Sequence, residues 1–174
     1  MHSGYLNNIK KIFADYRQLG EKTFHQISDE DFFVQLHPQS NSIAIIVSHL
    51  AGNMLSRWTD FLHSDGEKEW RHRDTEFENR LNTRAEVIGR WNEGWKCLED
   101  TLNHLQSEDL EKTVYIRSEG HKVYEAINRQ VAHYSYHIGQ IVFIGTVMVG
   151  DSWKSLSIPK GNSQIFNQSK MGSK

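Results

Sequence analysis

The run EAINRQVAHYSYHIGQIVFIGTVMV, residues 125–149, decides how the rest of the chain is read. Taken as a helix turning about 100° per residue, it brings Ala126, His133, His137, Gln140 and Ile144 into one sector roughly 60° wide. Two imidazoles one turn apart then point the same way. Nitrogens at i and i+4 on a rigid element can hold one cation, and a tetrahedral zinc-type site needs at least one more protein ligand. His49 is the residue favoured for that place. The other reading of the pair is metal-free: His133 and His137 hydrogen-bond to core or interface groups, because a buried imidazole is costly unless its nitrogens are paired.

Outward from this helix, composition narrows the classes. A chain of 174 residues with 37% hydrophobic and 24% charged content fits one globular domain, 1–174, with a single core. A formal charge of −2 gives no basic footprint of the kind phosphate backbones select, so nucleic acid is not an expected partner. The apolar part of residues 138–149 is too short and too glycine-interrupted for a membrane span. Met1-His2-Ser3-Gly4 lacks a charged region followed by an apolar stretch, so no signal peptide is expected and cytoplasmic is the default location. The lone Cys97 agrees with a reducing compartment.

Apolar residues at helical spacing, Leu6, Ile9, Ile12, Phe13, Tyr16, Leu19 and Phe24, predict a first helix from Tyr5 to about Gln26. Residues 27–39 read as a connection with a short buried piece around Phe32, Phe33 and Leu36. A second helix starts at a cap near Asn41 or Ser42 and runs to about Leu62 along the stripe Ile43, Val47, Leu50, Met54, Trp58 and Phe61. His49 lies beside that stripe, flanked by Ile45, Ile46, Gly52, Asn53 and Ser56. Residues 63–82 carry six acids and four Lys or Arg without a sustained period, as in an ordered loop. Roughly twenty residues reach past the ~30 Å of a six-turn helix, so the third helix is free to run parallel to the second, giving up-down-down-up order. Thr83-Arg84-Ala85-Glu86 matches a capping box that opens the third helix, continued by Val87, Ile88, Trp91, Trp95, Leu98, Leu102 and Leu105. Thr113–Ile116 and Lys122–Tyr124 flank Ser118-Glu119-Gly120, which predicts a small β-hairpin before the fourth helix. That helix stops at Gly150, and the tail, from about 162 to 174, is expected to be mobile. The fold class is therefore all-α, a four-helix bundle.

Three neutral histidines would leave a fourth coordination position for water or substrate, which is catalytic rather than structural in style. Asn53, one turn beyond His49, and Gln140, three residues after His137, are candidates to orient a ligand imidazole or hold a water. Glu125 lies nearly two turns before His133 and carries little weight as an acid or base at the rim. His25, His37, His63, His72, His104 and His121 read as surface, and Cys97 as a packed thiol. No His-Glu-x-x-His, phosphate loop or Gly-x-Ser-x-Gly occurs, so peptidase, nucleotide and esterase readings lose support.

The run Ser48-His49-Leu50-Ala51-Gly52-Asn53, followed by His133-Tyr134-Ser135-Tyr136-His137-Ile138-Gly139-Gln140, resembles the DinB/YfiT-like superfamily of four-helix bundles over nearly the whole chain. Arg57-Trp58-Thr59-Asp60-Phe61, Asp65-Gly66-Glu67 and Ser157-Ile158-Pro159-Lys160-Gly161 resemble an uncharacterised DUF-type branch of it. The resemblance implies a divalent metal, nickel or zinc, held by His49, His133 and His137, and a homodimer. Relatives of that superfamily include bacillithiol transferases and a mycothiol-dependent maleylpyruvate isomerase. The implied activity is a metal-dependent S-transfer in which a low-molecular-weight thiol is presented as thiolate to a small electrophilic substrate. A metal-dependent hydrolase and a non-catalytic metal-binding or stress protein are the alternatives.

Overall fold

Four long helices carry the chain: α1 His2–Phe24, α2 Ile43–Trp58, α3 Arg84–His104 and α4 Val123–Val149. The structure is a computed structural model that describes residues 2–171. The helix ends are set by local chemistry. Ser42 caps α2 by accepting from the Ile45 N–H at 3.3 Å. Thr83 and Glu86 form the reciprocal capping box of α3. Gly150, at φ 60°, ends α4. Helix α2 stops four residues short of the expected Leu62, because Asp60 turns left-handed at φ 52° and its carbonyl accepts from the His63 and Ser64 N–H groups. Glu125 is not a rim acid: its carboxylate accepts from the Lys122 N–H at 2.8 Å, capping α4.

Helix directions follow from which residues meet. Gly94 of α3 sits against Ala51 of α2, and Thr101 donates to the Trp58 carbonyl at 2.9 Å, so α2 and α3 run parallel. Tyr5 meets Asn128 at the starts of α1 and α4, and Thr23 meets Gly145 near their ends, so this pair is parallel too. Asn53 pairs with Tyr134, while His49 lies against His137, so α2 opposes α4. The order is up-down-down-up, as the loop length allows. Gly94 permits the close α2–α3 packing: a Cβ there would come within 2.8 Å of the Ala51 Cα.

The largest side chains buried between the helices are aromatic. Trp58, Trp91, Trp95, Tyr134 and Phe13 are each less than 2% exposed, and Phe13 meets Trp58 edge-on at 6.2 Å between ring centres. Truncating such a residue to alanine costs about 3–5 kcal/mol. Tyr134 keeps its hydroxyl satisfied in this setting by accepting from Trp58 Nε1 and donating to Asn53 Oδ1, both at 3.0 Å. No helix of the described residues is long and apolar enough to cross a membrane.

The hairpin pairs β1, Thr113–Ile116, with β2, Glu119–Lys122, so the turn is one step earlier than the sequence suggests and α4 starts at Val123. Its two central residues, Arg117 and Ser118, both have positive φ, 55° and 63°, without a glycine or asparagine. The Asp65 carboxylate holds them there, accepting from the Arg117 and Ser118 N–H groups at 2.8 and 2.7 Å. In the tail, residues 163–171 form a short exposed helix, α5 Ser163–Met171. Residues 172–174 of the expected mobile tail lie outside the described residues.

Candidate metal centre

Helix α2 presents His49, only 4% exposed, to the face of α4 that carries His133 and His137. One ring nitrogen of each lies within 4.8 Å of the others, and His49 Nε2 is 3.2 Å from His133 Nε2. Zn–N bonds of 2.0–2.1 Å at tetrahedral angles put ligand nitrogens about 3.3 Å apart, so the closest pair already has the spacing of a metal site.

Hydrogen bonds at the far side of two rings aim the nitrogens inward. Glu76 Oε2 lies 2.9 Å from His49 Nδ1. A carboxylate can only accept, so Nδ1 carries a proton, and in the neutral form of the ring Nε2 then has its lone pair toward His133. Gln140 Oε1 accepts from His137 Nδ1 at 2.8 Å, which leaves Nε2 of that ring free to turn inward. Burial and the neighbouring imidazoles push the His133 pKa down to about 3. Burial, opposed by the Gln140 bond and aided by His49, takes His137 down to about 4. Both are neutral at pH 7, the form a metal needs.

Glu76 comes from a 3-10 turn, Arg73–Phe77, inside the 63–82 loop. It is itself clamped: Arg71 donates to both its oxygens, at 2.7 and 2.9 Å, with 2% of the Arg71 side chain exposed. Burial raises the Glu76 carboxyl, but the His49 and Arg71 hydrogen bonds and the guanidinium charge outweigh it and hold it below the usual range. Phe77, from the same turn, stacks on His49 at 4.8 Å between ring centres. Gly52, one turn after His49, makes room for the carboxylate: a Cβ there would fall 2.2 Å from Glu76 Oε1. No periodicity marks Glu76, 27 residues beyond His49. The glycine inside a buried helix was the available signal, since such a position often marks a close approach.

Of the residues singled out from sequence, His49, His133, His137 and Gln140 come together. Asn53 lines the same cavity, but its Oδ1 is bonded to Tyr134 rather than to a histidine. His25, His37, His63, His72 and His104 are exposed and His121 is half-buried, all outside the cluster. Cys97 is half-buried beside Thr59, and burial pushes its thiol up, away from thiolate character. Arg57, named from the sequence only within the run 57–61, has contacts that the sequence did not suggest. Its guanidinium donates to the Gly66 carbonyl and to Glu67, and Ser56 donates to the same carbonyl at 2.6 Å. The Asp65-Gly66-Glu67 stretch thereby ties α2 to the hairpin turn.

No curated protein matches the chain. The family described as protein of unknown function (DUF1572) matches residues 1–162, a span that takes in all four long helices and the three converging histidines. The chain therefore belongs to the DUF1572 family, within the DinB/YfiT-like superfamily.

Proposed function

We propose that this protein binds one divalent metal, zinc or nickel, through His49, His133 and His137, and uses it to transfer a small thiol to an electrophile. The observation that carries the reading is the convergence of three imidazoles, two of them turned inward by hydrogen bonds at Nδ1. All three donors are nitrogen, a set that suits zinc and nickel. When bound, the ion supplies Lewis acidity at a position the protein leaves open, favouring thiolate over thiol. His49 and His137 are held in register by Glu76 and Gln140, so the protein spends little ordering on taking up the ion. Asn53 is fixed beside the open side by Tyr134.

Transfer is preferred over hydrolysis because of what the cavity lacks. Its lining, which includes His49, Asn53, Gln130 and His133, contains no carboxylate. Glu76 and Glu67, which touch residues of the lining, are committed to arginines. A thiol, with an ordinary pKa near 8.5, needs a much smaller downward shift to ionise at pH 7 than water, near 15.7. A site without a free general base therefore suits the thiol.

The test has two stages. Metal content of the purified protein is compared with His49→Ala, His133→Ala and His137→Ala; each variant should lose metal. Then consumption of a panel of small thiols with a chromogenic electrophile is followed across pH, with loaded parent against His133→Ala. Metal uptake with equal rates in both would leave a metal-binding protein and remove the transferase; rates that rise without thiol would point to hydrolysis.

A further inference from the structure

The open side of the histidine cluster is a polar cavity of about 200 Å³. Five arginines line it, Arg57, Arg71, Arg73, Arg117 and Arg129. The chain as a whole carries a charge of −2, so this is a local concentration rather than a share of a general excess. Two carboxylates answer the five guanidinium groups. Glu76 takes Arg71, and Glu67 takes Arg57 at 3.2 Å and Arg117 at 3.0 Å, with Arg71 at 3.8 Å. Among the described residues, Arg73 and Arg129 make no ion pair. Arg73 Cζ lies over the Phe77 ring at 5.1 Å, and its N–H donors make no hydrogen bond among the described residues.

Buried polar groups at the same place lack partners as well. Gln130, 3% exposed, has no hydrogen bond at Oε1, and Arg57, 6% exposed, has none at Nε. Buried groups of this kind are normally satisfied, so two unpaired ones on residues of the cavity wall leave that wall with unmet polar capacity. Guanidinium groups recognise planar or tetrahedral oxyanions through paired N–H donors. The cavity is below the usual 300–1,000 Å³ of drug-sized sites, so it takes a small molecule or the acidic end of one.

From this we infer that the cavity is an oxyanion-binding cradle: the ligand is a small molecule with a carboxylate or phosphate group, seated on Arg73 and Arg129. The reacting end would then lie toward His49 and His133. For that reacting end the inference rests on the metal reading above; the cradle itself is built from side chains alone.

Inorganic phosphate and succinate serve as probes, titrated calorimetrically at low and raised salt. The proteins are zinc-loaded parent, metal-free parent and the double variant Arg73→Gln/Arg129→Gln. Both arginines are exposed, so the variant should fold, and circular dichroism together with unchanged zinc stoichiometry checks this. Parent protein should bind at least one probe with or without zinc, more weakly as salt rises. The double variant should bind it about tenfold or more weakly, the effect of losing a charge-assisted hydrogen bond. Tighter binding of succinate identifies a carboxylate ligand and of phosphate a phosphoryl one, and either supports the cradle. No binding by the parent, equal binding by the variant, or binding that needs zinc but not the arginines overturns it. A parent that takes up no metal yet binds a probe through these arginines would overturn the metal reading and leave the cradle standing.

Discussion

Replacing Glu76 with glutamine tests whether the 63–82 loop helps build the metal centre. The carboxylate accepts at 2.9 Å from His49 and at 2.7 and 2.9 Å from Arg71. An amide offers one oxygen and one NH₂ in the same space, so one edge must meet a donor. If the NH₂ faces His49, either the ring reverses its tautomer and loses the inward lone pair, or Nδ1–H is left buried without an acceptor. An unsatisfied buried donor costs about 1–3 kcal/mol. Loss of a hydrogen-bonding partner behind a ligand histidine typically weakens metal binding about 10–100-fold, roughly 1.4–2.7 kcal/mol, which agrees. Competition with a chromogenic zinc chelator would read this, with His49→Ala as the larger loss. Gly52→Ala keeps the carboxylate but crowds it from α2, a Cβ falling 2.2 Å from Glu76 Oε1, and should weaken zinc in the same direction. Circular dichroism separates these effects from unfolding, since Arg71 loses an ionic partner in Glu76→Gln. Zinc affinities of both folded variants within twofold of the parent would refute the role assigned to Glu76.

Two further outcomes follow from the same structure. Metal-free protein should lose stability on acidification: His133 and His137 lie at about 3 and 4 when folded against an ordinary 6.5, so the unfolded chain takes protons first, and their contribution, full above pH 6.5, falls away toward pH 3–4. Urea midpoints measured down that range should decline less steeply in His133→Asn/His137→Asn, and parallel slopes would count against it. A homodimer is also proposed, through the outer face of α4, where Tyr136 and Phe143 are 64% and 62% exposed at i and i+7. Light scattering should report twice 20.3 kDa for the parent and a shift toward monomer in Phe143→Lys, whereas a parent that stays at 20.3 kDa at micromolar concentration would remove the proposal.

The four helices and the His133/His137 pair were legible in the sequence because both depend on a local period. Apolar spacing sets each helix, the Ser42 and Thr83 caps act within three residues, and i, i+4 places His133 and His137 on one face before any fold is known. The third histidine could be chosen because it sits mid-helix among apolar neighbours. Gln140 was legible for the same reason, being one turn from His137.

What the tertiary structure alone decided lies between elements distant in the chain. Glu76 reaches His49 because Gly52 leaves a gap and Arg71 fixes the carboxylate in it; neither relation has a spacing rule. The hairpin turn fell one step from where glycine suggested because Asp65, more than fifty residues earlier, supplies acceptors that hold Arg117 and Ser118 left-handed. The arginines of the cavity come from α2, the 63–82 loop, the hairpin and α4, and their common direction exists only after packing. A sequence records local periods and caps directly, since backbone geometry repeats them; it records which charged side chains share a cavity only through the fold that assembles them.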